Sequence, residues 1–210
     1  MGNVKRIFQG TTDLDISKLG AVQLEYLKKR FKYVNIDKVY SSPLKRAVKT
    51  AEAIIGDRNL EVEIDKGLIE LHGGIVEGKP VEETFGKMPH LLDAWENHPQ
   101  DFNPEGGERM DAAYERIWDT VLKIAKNNPN KTIACATHGG VLRCLVCRLI
   151  EKDISRLKNI PITDNTSVTL IRFDDKLNPE LVLFNNTLHL PSNLNHPIGS
   201  FSKDIEVENK

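Results

Sequence analysis

A chain of 210 residues is long enough to bury one full-sized core, and 40% hydrophobic with 28% charged residues describes a globular protein, not a disordered one. Its 29 Lys and Arg against 30 Asp and Glu exclude the basic excess of a general nucleic-acid binder, while leaving room for a small anion held by two or three cations. No apolar run approaches the about 18 residues of a membrane span and no signal-peptide core opens the chain, so a cytoplasmic location and no membrane partner are expected.

Residues 1–10, MGNVKRIFQG, read as the interior of a loop, with turns at Gly2-Asn3 and Gln9-Gly10; Arg6 stands where a myristoylation signal needs Ser or Thr. Ser17 caps a helix that runs to Phe31, with Leu19, Val22, Leu24 and Leu27 as its apolar residues. A short strand over 37–42 leads into a helix over 42–56, with Ser42 as N-cap, Pro43 in the first turn and Gly56 as the left-handed stop. Its buried stripe is Leu44, Ala47, Val48, Ala51 and Ile55. EVEI (61–64) alternates as a strand does. Residues 68–106 are rich in Gly and Pro and read as an excursion over one sheet face, with a helical piece near 88–97.

Asp111 to Lys126 is an amphipathic helix closed by Pro129. KTIACAT (131–137) is a continuous small-apolar run, expected to be a strand covered on both faces. A helix over 139–150 follows, then strands over 167–173 and 180–184, and a polar tail from Pro191. Alternating strands and helices predict one α/β domain over 1–190, a mostly parallel sheet with helices on both faces, and a tail over 191–210. Cys135, Cys144 and Cys147 lack disulfide spacing, and Cys144-x-x-Cys147 has no second ligand pair, so ordinary core or helix cysteines and no metal are expected.

Four junctions carry chemistry. In CATHGGVL, His138 follows a buried strand and two glycines open a helix, where free N–H groups attract anions; His138 either holds a phosphate there or caps the helix. In SSPLKRAVKT, Arg46 in the first helical turn can aim its fork at the same sheet edge, with Lys45 and Lys49 as surface residues. In LIELHGGIVEG, Glu70 is a partly desolvated carboxyl suited to general-acid work, Glu77 fixes the loop and His72 faces solvent. In NPEGGERMDAAYERI, Glu108, Arg109 and Arg116 either line the far wall of the pocket or cap the long helix.

Taken together and in order, FQGTTDLDISKLGAVQ, YSSPLKRAVKTAE, LIELHGGIVEG, PEGGE, ATHGG and NNTLHL resemble the blocks of the histidine phosphatase superfamily, the phosphoglycerate mutase-like fold, from Asn3 to about Leu190. In that family a first strand, inside the sheet, delivers Arg-His-Gly with the nucleophilic histidine. Asn3, Arg6 and Gln9-Gly10 continue the motif directly after that block, so the resemblance implies that the first strand and the nucleophile are missing from this sequence. It implies phosphoryl transfer through a phosphohistidine. Arg46 and His138 would hold phosphoryl oxygens with the backbone of Gly139, Glu70 would act as acid and then base, and Asn3, Gln9 and Gly10 would line the substrate site. No cofactor is implied, and the partner is a small phosphorylated metabolite. The loop over 68–78 looks like the phosphatase branch, with Gly73 and Val76 in place of common aromatics implying a more open pocket. Mutase-type transfer and a non-catalytic phospho-ligand module are the alternatives.

Overall fold

In the computed structural model, residues 7–195 are described. Ser17 opens helix α1 (Lys18–Phe31) by accepting from the Gly20 N–H at 3.0 Å, and Lys28, Lys29 and Arg30 in the last turn complement the helix dipole. Strand β1 (Lys38–Ser41) then leads to helix α2 (Lys45–Ile55), which Gly56 stops at φ +59°. Ser42 is not its cap. The carboxylate of Asp13, 32 residues away, accepts from the Lys45 N–H at 2.8 Å instead. Strand β2 (Val62–Ile64) follows, and then the excursion, which holds two helices where one was expected: α3 (Val81–Lys87) and α4 (Pro89–Glu96). Helix α5 (Met110–Asn127), strand β3 (Ile133–Ala136), helix α6 (Gly139–Ile150) and strands β4 (Val168–Phe173) and β5 (Pro179–Asn186) complete the order.

The α/β architecture is the expected one. Its strands form two ladders: a parallel sheet in the order β2-β1-β3, and an antiparallel pair β4-β5. Side chains alternate across β1, so Val39 joins α1 and α2 on one face (Leu24, Leu27, Ala47, Ala51), while Tyr40 packs toward α5 and α6 on the other. Val22, one of the apolar residues of α1, is 45% exposed, because α1 meets α2 through Leu24 and Leu27. No ladder joins β3 to β4 among the described residues. As a result Cys135 is exposed, and β3 is not covered on both faces as its composition predicts.

The excursion builds its own core. Phe8 stands edge-on to Phe85 and Trp95, and Trp95 to Phe102, with centroids 6.4, 5.6 and 5.1 Å apart. Gly73 lies under Phe8, whose ring would be 2.6 Å from any Cβ added there. Val76 is fully buried, and neither residue lines the cavity described below. The expected opening of the pocket at these positions is therefore absent; the small size of Gly73 makes room for Phe8.

Cys144 and Cys147 are buried on α6 and turn to different partners, Met110 Sδ at 3.6 Å and the Asp153 carbonyl at 3.3 Å. Among the described residues no group of three His, Cys, Asp or Glu could hold a metal, and no helix is long and apolar enough to cross a membrane. Asn3 and Arg6, and the tail beyond Asn195, lie outside the described residues. Phe102→Ala should cost about 3–5 kcal/mol, since it empties a fully buried ring site. A fall in the urea midpoint with an unchanged m-value checks it.

Candidate active site

Arg46 rises from the first turn of α2 with its three kinds of nitrogen all engaged. Nη2 donates to the Gly10 carbonyl at 2.6 Å, Nη1 to the Thr12 carbonyl at 2.8 Å, and Nε to His138 Nδ1 at 3.2 Å. Two of the five guanidinium N–H groups remain for an incoming anion. Burial lowers the pKa of this guanidinium, opposed by the charges of Glu70, Asp13 and Glu77, and an arginine stays charged under any such shift.

His138, 8% exposed, sits between β3 and α6. An arginine can only donate, so His138 Nδ1 is unprotonated and Nε2 carries the hydrogen, which points to Ser42 Oγ at 2.7 Å. Burial, and after it the charges of Arg46 and Arg116, push this imidazole well below the usual histidine range. It is a neutral ring clamped at both nitrogens. It makes no side-chain cap on α6, so the capping alternative falls away.

The free N–H groups at the start of α6 do attract an anion, and it is Glu70. Its Oε1 accepts from Leu71 and Val141 and its Oε2 from Gly140, each at 3.0 Å. Gly140, not Gly139, makes this approach possible: a Cβ at 140 would lie 2.7 Å from Glu70 Oε1, whereas one at 139 meets only ordinary contacts from 3.6 Å.

Two braces hold the loops that present these groups. Glu77 fixes its loop as expected, and also reaches the N-terminal turn. Its Oε1 accepts from the Thr12 N–H and hydroxyl, both at 2.5 Å, and its Oε2 from Gly73 at 2.7 Å. Gly10 at φ +38° leaves space for that carboxylate, since a Cβ there would come 2.1 Å from Glu77 Oε2. Arg116 grips Glu108 bidentately, at 2.7 Å to each oxygen, and donates to the carbonyls of Gly67 and Ile69, immediately before Glu70. Glu108 and Arg116 therefore brace the glutamate loop. Neither lines the cavity, and Arg109 is an exposed residue paired with Asp111, so the far-wall reading is incorrect. Lys45 and Lys49 pair with Asp13 and Asp15 at the surface, and His72 is exposed, as expected.

Gln9, Gly10, Arg46, Glu70, His138 and Gly139 all line one cavity of about 1500 Å³. The tether of Ser42 to His138 and the carbonyl clamp on Arg46 have no local signature, because their partners are distant in sequence. The second glycine of His-Gly-Gly was the readable clue to the Glu70 contact.

The profile of the histidine phosphatase superfamily (branch 1) matches residues 1–187. Phosphoserine phosphatase 1 of Hydrogenobacter thermophilus is 32% identical over 183 residues, covering 87% of this chain and 86% of its own length. Among solved structures, Bacillus stearothermophilus YhfR superposes with a TM-score of 0.85 at 29% identity, covering 90% of this chain and 93% of its own. Phosphoserine phosphatase from Entamoeba histolytica, solved with 3-phosphoglyceric acid, has a TM-score of 0.76 at 30% identity, covering 90% and 93%. The chain belongs to the histidine phosphatase superfamily, and its relatives mark it as a phosphoric monoester hydrolase.

Two outcomes follow. Gly140→Ala should displace Glu70 and cost about 1–3 kcal/mol, whereas Gly139→Ala should be neutral or stabilising by up to about 1 kcal/mol; urea unfolding of the two variants separates them. The second concerns pH. His189, 3.1 Å from Arg30 Nη1, is lowered to about 4 by burial and that charge, and His138 is lowered too. As pH falls below about 6.5 the unfolded chain takes up protons that the folded one refuses, so stability is full above that value and declines toward pH 4. The urea midpoint should be lower at pH 5 than at pH 7, and less so in His189→Gln.

Proposed function

We propose that this protein hydrolyses a small phosphorylated metabolite through a phosphohistidine. The observation that carries the reading is the Arg46–His138 contact in a cavity that Glu70 also lines. The relatives named for phosphoserine support a compact phosphorylated substrate. In the first step a neutral histidine attacks phosphorus, the P–O bond breaks, and Glu70 delivers a proton to the leaving oxygen. In the second, Glu70 takes a proton from the water that attacks phosphorus, and the P–N bond breaks. The remaining N–H groups of Arg46 stabilise the charge on the transferring group. Before it can act as acid, Glu70 must carry a proton and turn an oxygen away from the start of α6.

Among the described residues no histidine stands in this cavity with a free ring nitrogen: His138 is clamped, His72, His90 and His98 are exposed, and His189 lies against Arg30. We propose that the nucleophile belongs to an Arg-His-Gly segment encoded in phase upstream of Met1, a reading supported by the motif that Asn3, Arg6 and Gln9-Gly10 continue.

Adding that segment should produce turnover of phosphoserine or a similar monoester and an acid-labile phosphohistidine, both absent from the 210-residue chain. Turnover in the shorter chain would remove the proposal, and transfer to a second acceptor in place of water would make the protein a mutase. In the extended form, Glu70→Gln should slow an alkyl phosphate far more than p-nitrophenyl phosphate, whose leaving group needs no proton. His138→Ala should cost about 3 kcal/mol in kcat/KM.

A further inference from the structure

Glu77 stands outside the cavity that holds Arg46, Glu70 and His138, and so does Thr12. The two meet closely. Glu77 Oε1 accepts from the N–H and the hydroxyl of Thr12, both at 2.5 Å, while Oε2 accepts from the Gly73 N–H at 2.7 Å. Two glycines make way for this carboxylate: a Cβ at Gly10 would lie 2.1 Å from Oε2, and one at Gly73 2.9 Å from it.

The same turn holds Arg46. The Thr12 carbonyl accepts from Nη1 at 2.8 Å and the Gly10 carbonyl from Nη2 at 2.6 Å. Thr12 therefore faces Glu77 with its N–H and hydroxyl and Arg46 with its carbonyl. Gly10 takes Nη2 and packs against Glu77 where a side chain would stand. A guanidinium is a rigid planar fork, so fixing both terminal nitrogens on one turn fixes the direction of the N–H groups left over.

We propose that Glu77 is the positioning residue of Arg46: by pinning the 10–12 turn it sets the direction in which the free guanidinium N–H groups meet a phosphoryl group. The carboxylate has two effects of opposite sign. Burial disfavours the charged form of Arg46, and the charges of Glu70, Asp13 and Glu77 support it. By charge alone Glu77 offsets part of the pull of Arg46 on an incoming anion, so removing that charge would tighten the hold on phosphate. Releasing the turn loosens it, because a misplacement of about 1 Å can cost about 100-fold in rate. Position outweighs charge. The catalytic half of this inference rests on the phosphatase reading; the geometric half does not.

Nitrogen NMR of the isotope-labelled 210-residue chain tests the geometry without turnover. Held by two carbonyls, the Nη1 and Nη2 groups of Arg46 should rotate slowly and give separate resonances, assigned by their loss in Arg46→Lys. In Glu77→Gln and in Thr12→Val, which keeps shape and charge but removes the hydroxyl, they should collapse to one averaged signal. Separate resonances that survive in both variants overturn the proposal. In the chain extended by the Arg-His-Gly segment, Glu77→Gln should lower kcat/KM for p-nitrophenyl phosphate about tenfold or more, but less than about twofold when Arg46 is already Ala. Equal losses in the two backgrounds mean general loosening of the fold and overturn it, and so does an unchanged or raised kcat/KM, the sign that charge alone predicts. If Glu77→Gln does not fold, Thr12→Val carries both arms, with a loss in the same direction. Collapsed resonances with no turnover in the extended chain would remove the phosphatase reading and leave the positioning of Arg46 supported.

Discussion

Three peptide N–H groups, from Leu71, Gly140 and Val141, converge on the carboxylate of Glu70. That contact ties the glutamate loop to the start of α6, the helix that also carries the buried cysteines and packs against α5. It works because the helix start offers partial positive charge and Gly140 offers no side chain. Around it the chain spends its other charged groups on backbone: Arg116 on the carbonyls of Gly67 and Ile69, Glu77 on the N–H groups of Thr12 and Gly73. Four loops distant in sequence become one rigid rim.

Arg46 is the point where that rim meets the sheet. Two of its nitrogens are satisfied by carbonyls of the 10–12 turn, and that turn is itself held by Glu77. The third nitrogen sets the tautomer of His138 and leaves Ser42 to receive its hydrogen. A change at Glu77 therefore acts on the arginine through Thr12 and through the loss of a nearby charge, without touching any bound anion.

Much of this was readable in residue order. Ser17, Gly56 and Pro129 mark helix boundaries by local chemistry, and Arg46, Glu70 and His138 stand where strands give way to helices or loops, the places where an α/β sheet gathers its functional groups. What failed was non-local. Ser42 has the look of a cap, but its hydroxyl meets a histidine 96 residues away and the N–H of Leu44, one residue short of the helix, whose first N–H goes to Asp13. Gly73 looked like an opened pocket because nothing nearby announces the Phe8 ring that fills the space, and Val76 is buried in the core. Cys135 sits in a run whose composition describes a doubly covered strand, but cover depends on which strand lies alongside.

The antiparallel pair β4-β5 is fastened to the rest of the protein by side chains: Ile171, Leu181 and Phe184 against the main core, and Arg30 on Asn186. No backbone ladder reaches it from β3 among the described residues. The position of the pair on the fold therefore depends on those side-chain contacts and not on shared backbone hydrogen bonds. The seam between the two ladders runs along β3 and β4, with Arg46, Glu70 and His138 at its end.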